Sequence, residues 1–143
     1  MATSVQNSVD INQFSINSSE ATPQQIATAL KTVLNILDKW QCKPGHKQAI
    51  LAMGRSTLYK YQEDPASAKL TCDQIERMSF ILNIHQALRL TFSNPENVYG
   101  FMTMKNDNPF FNGQSPLELV CNGSFATLYE VYKRIDAMRN SVW

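Results

Sequence analysis

Apolar residues recur at steps of three and four along most of the chain, which is the spacing of one face of an α-helix. The first stripe runs from Ile26 to Trp40, and Thr22 and Pro23 supply a capping hydroxyl and a proline at the first helical position. Further stripes follow in residues 73–92 and near the C-terminus. No segment alternates with a period of two for long enough to predict a strand. The pattern predicts an all-α fold of about seven or eight helices.

Breaks between these stripes divide the chain into three parts. Residues 1–21 are polar and lack basic residues, which predicts a flexible N-terminal arm. Residues 22–92 are predicted to hold a helix-turn-helix and dimerisation helices, although Asn83 and His85 leave open whether residues 73–92 form one helix or two. Residues 93–143 form a second, small helical lobe, in which Ser115 and Glu118 predict a capped helix start.

Residues 46–63 contain two short helical stretches separated by Met53 and Gly54, an arrangement typical of a helix-turn-helix. Leu58 and Tyr61 are expected to hold the second helix on the core. Polar and basic side chains on its other side are suited to base edges and phosphates. The turn glycine of such motifs usually sits earlier, where this chain has Ala52. The predicted DNA contacts are Lys47, Gln48, Arg55, Ser56, Thr57, Tyr59 and Lys60.

The distribution of charge supports this interpretation more than the total charge does. Thirteen basic and twelve acidic residues give a net charge of +1, which excludes a strongly basic nucleic-acid coat protein. Yet the segment Lys39–Gln62 carries five basic residues and no acidic one, as a surface for phosphates would. A solvated basic face on an ordinary helical bundle is the alternative that the pattern leaves open.

The sequence offers little for catalysis or metal binding. Three widely spaced cysteines, expected to be buried packing residues, and the absence of a leader segment predict a reduced, cytoplasmic protein. His46 and His85 have no metal-ligand spacing, so we expect no metal, no cofactor and no enzymatic activity. No apolar run approaches the roughly 20 residues of a membrane helix.

The most distinctive run, Asn108–Leu119, reads NPFFNGQSPLEL. It resembles the N-x-x-F-x-G-x-S-P-L-x-L signature of the toxin-binding region in the Xre/MbcA/ParS antitoxins. Residues 74–77 and 87–90 resemble the part of that family between the DNA-binding and toxin-binding regions, so the resemblance covers about residues 25–140. The positions that match the signature, mostly with structural roles expected, are Asn108, Pro109, Phe111, Gly113, Ser115, Pro116 and Leu117.

This resemblance implies a type II antitoxin that binds its own operator as a homodimer and autorepressor. Its C-terminal region, the toxin-binding domain of residues 93–143, would block an NAD-consuming toxin of the RES type or a related one. The toxin contacts predicted on the last helix and tail are Lys133, Arg134, Arg139, Val142 and Trp143. For Trp143 the alternative is that it folds back on its own lobe.

The rival function is a helix-turn-helix regulator whose C-terminal lobe dimerises or senses a ligand.

Overall fold

The computed structural model describes residues 20–139 of the chain. In this range the chain is helical with no strand, which confirms the all-α prediction. The predicted arm up to residue 19 and the predicted toxin contacts Val142 and Trp143 lie outside the described residues. The helices are α1 (Pro23–Lys39), α2 (Pro44–Leu51), α3 (Arg55–Glu63), α4 (Cys72–Thr91), α5 (Pro95–Gly100), α6 (Pro116–Val120) and α7 (Phe125–Met138), with 3₁₀ turns at Pro65–Ser67 and Phe101–Thr103.

Local capping signals fix where most of these helices begin. The hydroxyl of Thr22 accepts a hydrogen bond from the backbone N–H of Gln25, at 3.1 Å, and the Gln25 side chain accepts one from Thr22 in return. Thr71 begins α4 with the same reciprocal pair, and Ser115 begins α6. Each cap satisfies N–H groups that the helix leaves unpaired and contributes about 1 kcal/mol.

Helix α4 is one continuous helix, which answers the question that the sequence left open. Asn83 lies buried within it, and His85 follows without a corner. Buried residues surround the helix on most sides, as expected for a central helix. It packs against α7, α1, α5 and α2, so both halves of the chain are built around it.

A single hydrophobic core runs through both halves of the molecule. Trp40 after α1, Leu58 of α3, Phe111 of the loop before α6 and Val131 of α7 all belong to one buried cluster. The helix-turn-helix and the C-terminal lobe therefore share a core. None of the helices in residues 20–139 has both the length and the apolar character needed to cross a membrane.

Candidate DNA-binding and toxin-binding surfaces

The two helices α2 and α3 meet through a turn of three residues. Ala52 ends α2 in the left-handed region, with φ of 54°, and Met53 donates its N–H to the carbonyl of Gln48 at 3.1 Å. Gly54 precedes α3 with an ordinary extended backbone. The left-handed residue is thus the alanine that stands where such motifs usually have glycine. An alanine in this conformation is strained by roughly 1 kcal/mol.

Helix α3 is held by its apolar side and leaves its polar side open. Leu58 and Tyr61 are buried, as the sequence predicted. The Tyr61 hydroxyl also donates to the Lys69 carbonyl at 3.2 Å and accepts from the Lys69 N–H at 3.1 Å, which anchors α3 to the segment that follows it. The orientation of α3 is therefore fixed by both packing and hydrogen bonds.

Most of the predicted DNA contacts lie together on the open side of α3. Thr57 is half-buried there, and the Arg55 guanidinium lies 5.6 Å from the centre of the Tyr59 ring. Gln48 is half-buried on α2. Four of the predicted contacts are exposed on this surface: Arg55, Ser56, Tyr59 and Lys60.

Lys47 does not belong to this exposed surface. Its side chain is 8% exposed, and its ammonium group pairs with the carboxylate of Asp38 at the end of α1. Lys47 thus links α1 and α2 in this structure, and its burial disfavours the predicted DNA contact. The sequence pattern did not predict this pair. Asp38 lies directly before Lys39, where the acid-free segment begins, so Lys47 had no acidic partner within that segment.

The exposed side of α7 carries two cations that lie over aromatic rings. The Arg134 guanidinium lies 4.7 Å from the centre of the Phe110 ring, and the Lys133 ammonium lies 5.9 Å from the Tyr129 ring. Such contacts are worth about 0.5–1 kcal/mol at exposed sites and restrict the side chain. Arg139 differs, because it is half-buried and donates to Asp136 at 2.8 Å. The loop before α6 and the helix α7 thus meet at one surface.

The loop that carries the sequence signature is built mainly of structural residues. Phe111 is 1% exposed and anchors the loop in the core, while Asn108 accepts a hydrogen bond from the N–H of Phe110 through its side chain. Gly113 has φ of 81°, a conformation that favours glycine. Ser115 is buried and caps α6. Of the matched positions, Pro116 and Leu117 are buried as well, whereas Pro109 is exposed.

Arg77 is a residue that sequence analysis passed over, and it connects the two halves. Its side chain is buried, pairs with Asp73 at 2.8 Å, and donates to the backbone carbonyls of Ile50 at 3.2 Å and Gly123 at 3.0 Å. The only local signal in the sequence is the acid four residues earlier, since the carbonyl partners are all distant in the chain. Arg77 therefore holds α2 and the turn before α7 together.

Two cysteines and a histidine that are wholly or partly buried are kept neutral. Burial raises the pKa of the Cys42 thiol to about 12 and that of Cys121 to about 11. Burial and the charge of Arg89 lower the pKa of His85, whose ring stacks on Tyr99. Neutral thiols and a neutral imidazole provide no activated nucleophile at pH 7. Of the three cysteines expected to be buried, only Cys42 is: Cys121 is half-buried, and Cys72 is exposed at the start of α4.

An open cleft of about 520 Å³ separates α2 from α6 on one side of the molecule. Although its walls include a histidine, a glutamate and a cysteine, no group of three or more potential metal ligands occurs anywhere in residues 20–139. One wall of the cleft includes His46 of α2, and its other lining residues belong to the C-terminal lobe. The cleft is lined by His46, Thr103, Gln114, Ser115, Leu117, Glu118 and Cys121.

These features define a helix-turn-helix protein with an appended helical lobe. Residues 21–83 match the family model of the antitoxin Xre-like helix-turn-helix domain, and residues 87–140 match that of the antitoxin Xre/MbcA/ParS C-terminal toxin-binding domain. The chain belongs to the Xre/MbcA/ParS family of antitoxins. It is thus an antitoxin of a toxin–antitoxin system, and a cognate toxin is its partner.

A relative of similar length matches most of the chain. The uncharacterized protein y4oB of Sinorhizobium fredii (strain NBRC 101917 / NGR234) is 32% identical over 116 residues, which cover 80% of this chain and 87% of the relative. The two family models describe a helix-turn-helix domain and a toxin-binding domain, neither of them an enzyme family. The matched ranges meet within α4, the helix that both halves share.

Proposed function

We propose that this antitoxin neutralises a RES-type toxin that consumes NAD, by covering the toxin's active site with its C-terminal region. In the same proposal it represses its own transcription by binding operator DNA as a homodimer. The observation that carries the proposal is that a helix-turn-helix domain and a toxin-binding domain follow one another in one chain with one core. Each domain presents a surface of different chemistry.

Operator DNA is the partner that suits the exposed side of α3. The guanidinium of Arg55 can pair with a guanine edge, and the hydroxyls of Ser56 and Thr57 with neighbouring bases. Lys60 lies one turn further and suits a phosphate. The first turn of α3 contains no acidic residue, so the positive end of the helix dipole is not offset. Two copies of this surface fit the two half-sites of a pseudo-palindromic operator, hence the homodimer.

The toxin is the partner proposed for α7 and the tail. Lys133 and Arg134 are exposed and oriented by aromatic rings, so they can pair with carboxylates at the rim of the toxin's cleft with little further loss of side-chain freedom. Arg139 is already paired within α7, and its contribution is expected to be smaller. The aromatic side chain of Trp143 and the neighbouring Val142 are proposed to enter the cleft itself, where NAD would bind.

Co-expression with the adjacent gene tests the proposal. The neighbouring product should arrest growth when expressed alone and lower the cellular NAD concentration, and co-expression of the antitoxin should restore both. The double variant Val142→Ala/Trp143→Ala should fail to restore growth, while Lys31→Ala, which changes an exposed residue of α1, should restore it fully. Growth arrest without loss of NAD would reject the RES-type toxin, and absence of a complex on co-purification would reject occlusion.

A gel-shift measurement on the DNA upstream of the gene tests the second half of the proposal. The purified antitoxin should shift this fragment and reduce expression of a reporter placed behind it. If the chain binds the toxin but neither shifts the fragment nor lowers the reporter signal, the autorepressor function is rejected and neutralisation stands alone.

A further inference from the structure

The guanidinium of Arg77 lies where α2, α4 and the turn before α7 converge. The side chain is 9% exposed, although it carries a full charge. Its Nε donates to Asp73 at 2.8 Å, and its Nη1 donates to the carbonyl oxygens of Gly123 at 3.0 Å, Ile50 at 3.2 Å and Ala49 at 3.5 Å. The ring of Phe125 lies 5.8 Å from the guanidinium carbon and covers it. A buried charge of this kind is tolerated because it is paired and hydrogen-bonded.

These contacts supply what the end of α2 lacks. A helix leaves its last carbonyls without intrahelical partners, and a cation there also offsets the negative end of the helix dipole. Helix α2 has only eight residues, so its order depends on tertiary contacts. The neighbouring Gln74 donates its side-chain N–H to the carbonyl of Ala52 at 3.0 Å. Helix α4 therefore holds both the end of α2 and the turn that leads into α3.

The third carbonyl belongs to the toxin-binding domain. Gly123 has φ of 81°, and a Cβ atom at this position would lie 3.4 Å from the carbonyl oxygen of Ala49. The backbone of the turn before α7 is therefore in direct contact with the last turn of α2. A side chain at Gly123 would strain the turn through its positive φ and would add a Cβ atom in van der Waals contact with the Ala49 carbonyl.

We infer that Arg77 is a positioning residue for sequence-specific DNA binding, which fixes α2 and thereby α3 by tying them to Gly123 of the toxin-binding domain. The inference rests on the proposed DNA-binding function. Arg77 is buried and touches no DNA itself. Base contacts depend on the exact placement of α3, whereas phosphate contacts from flexible side chains tolerate displacement. A displaced α3 should lose specificity before it loses affinity for DNA in general.

The test compares two variants that loosen this junction from opposite sides. Arg77→Lys keeps the charge but cannot supply the same set of donors, and Gly123→Ala acts from outside the matched helix-turn-helix domain. Arg89→Lys is the control, because Arg89 is an exposed arginine of the same helix. For each variant, fluorescence anisotropy gives the affinity for the upstream fragment and for a random fragment, and titration gives the affinity for the toxin.

Both variants should bind the upstream fragment about tenfold more weakly, while binding to the random fragment changes less than about twofold. Arg89→Lys should match the wild type. An unchanged ratio between the two fragments in both variants would overturn the inference and leave the proposed function intact. A parallel loss of binding to both fragments and to the toxin would also overturn it, since that is the result of unfolding alone. If Arg77→Lys does not fold by circular dichroism, the Gly123→Ala result decides.

If the wild-type protein does not distinguish its upstream fragment from random DNA, the proposed DNA-binding function fails and the inference fails with it. This outcome differs from the previous ones, because it is read from the wild-type protein before any variant is compared.

Discussion

The exposed cations of α3 and those of α7 stand in opposite electrostatic surroundings. Arg55 and Lys60 lie on a helix with no acidic residue before its final position, Glu63. On α7, by contrast, Lys133 and Arg134 lie between two acids at positions 130 and 136. An uninterrupted positive surface suits a regular polyanion, whereas cations interspersed with acids suit one shaped protein partner. The difference fits the proposal that each surface binds a separate class of partner.

The largest expected effect is on DNA. The double variant Arg55→Ala/Lys60→Ala removes both exposed cations of α3, and affinity for the upstream fragment should fall about a hundredfold or more at physiological salt. The slope of log K against log salt should become shallower by about one or two units. Toxin neutralisation should be retained. The matched control is Lys31→Ala/Lys105→Ala, which removes two exposed lysines elsewhere; equal loss in this control would show that total charge, not α3, governs binding.

The second expected effect is on the toxin. Arg134→Ala removes a cation that the Phe110 ring orients, and affinity for the toxin should fall about tenfold, with DNA binding unchanged. Isothermal titration measures the first quantity and anisotropy the second. Arg139→Ala should have a smaller effect, because Arg139 is paired with Asp136. If Arg139→Ala weakens toxin binding more than Arg134→Ala does, the toxin contact lies nearer the tail than the exposed side of α7.

Variants at Asp38 and Lys47 test whether Lys47 is excluded from the DNA-binding surface. Asp38→Ala leaves the buried ammonium of Lys47 without its partner and should lower the free energy of unfolding by about 1–3 kcal/mol. Lys47→Met should cost less, because it removes the buried charge itself. Urea denaturation measures both variants. If Lys47→Met folds normally yet loses affinity for DNA by tenfold or more, Lys47 belongs to the DNA surface after all.

The smallest expected effect is on stability, from a substitution in the turn between α2 and α3. Ala52→Gly relieves a left-handed alanine and should raise the free energy of unfolding by about 0.5–1 kcal/mol, net of the greater freedom of glycine in the unfolded chain. Urea denaturation again provides the measurement. Ala66→Gly serves as the control at another exposed alanine, where φ is not positive, and it should stabilise nothing. Destabilisation by Ala52→Gly would mean that the strain at Ala52 is smaller than the entropic cost of ordering a glycine there.

Sequence reasoning succeeded wherever the signal was local. The caps at Thr22 and Ser115 lie within three residues of their partners, so these helix starts could be predicted from the order of residues alone. The packing of Leu58 and Tyr61 followed from helical spacing in the same way. The signature around Phe111 gave the family, although no physical pattern in that loop would have done so.

Sequence reasoning fell short wherever a residue's role depends on distant parts of the chain. The pairing of Lys47 with Asp38 crosses from one helix to the next, and the carbonyl partners of Arg77 lie 27, 28 and 46 residues away. A charged residue on a helix is usually solvated, so nothing in the pattern indicated that these two would be buried. The continuity of α4 through Asn83 was also undetermined, because a polar residue at mid-helix can either mark a corner or be buried with partners.

The shared core has a thermodynamic consequence for the two activities. Because Trp40, Phe111 and Val131 are buried in one cluster, the described part of the chain should unfold in a single cooperative transition. A ligand that binds only the folded protein stabilises all of it, by about 2.7 kcal/mol at a concentration one hundred times its Kd. Bound toxin would therefore protect the DNA-binding surface from thermal unfolding without touching it, and bound DNA would protect the toxin-binding surface in the same way.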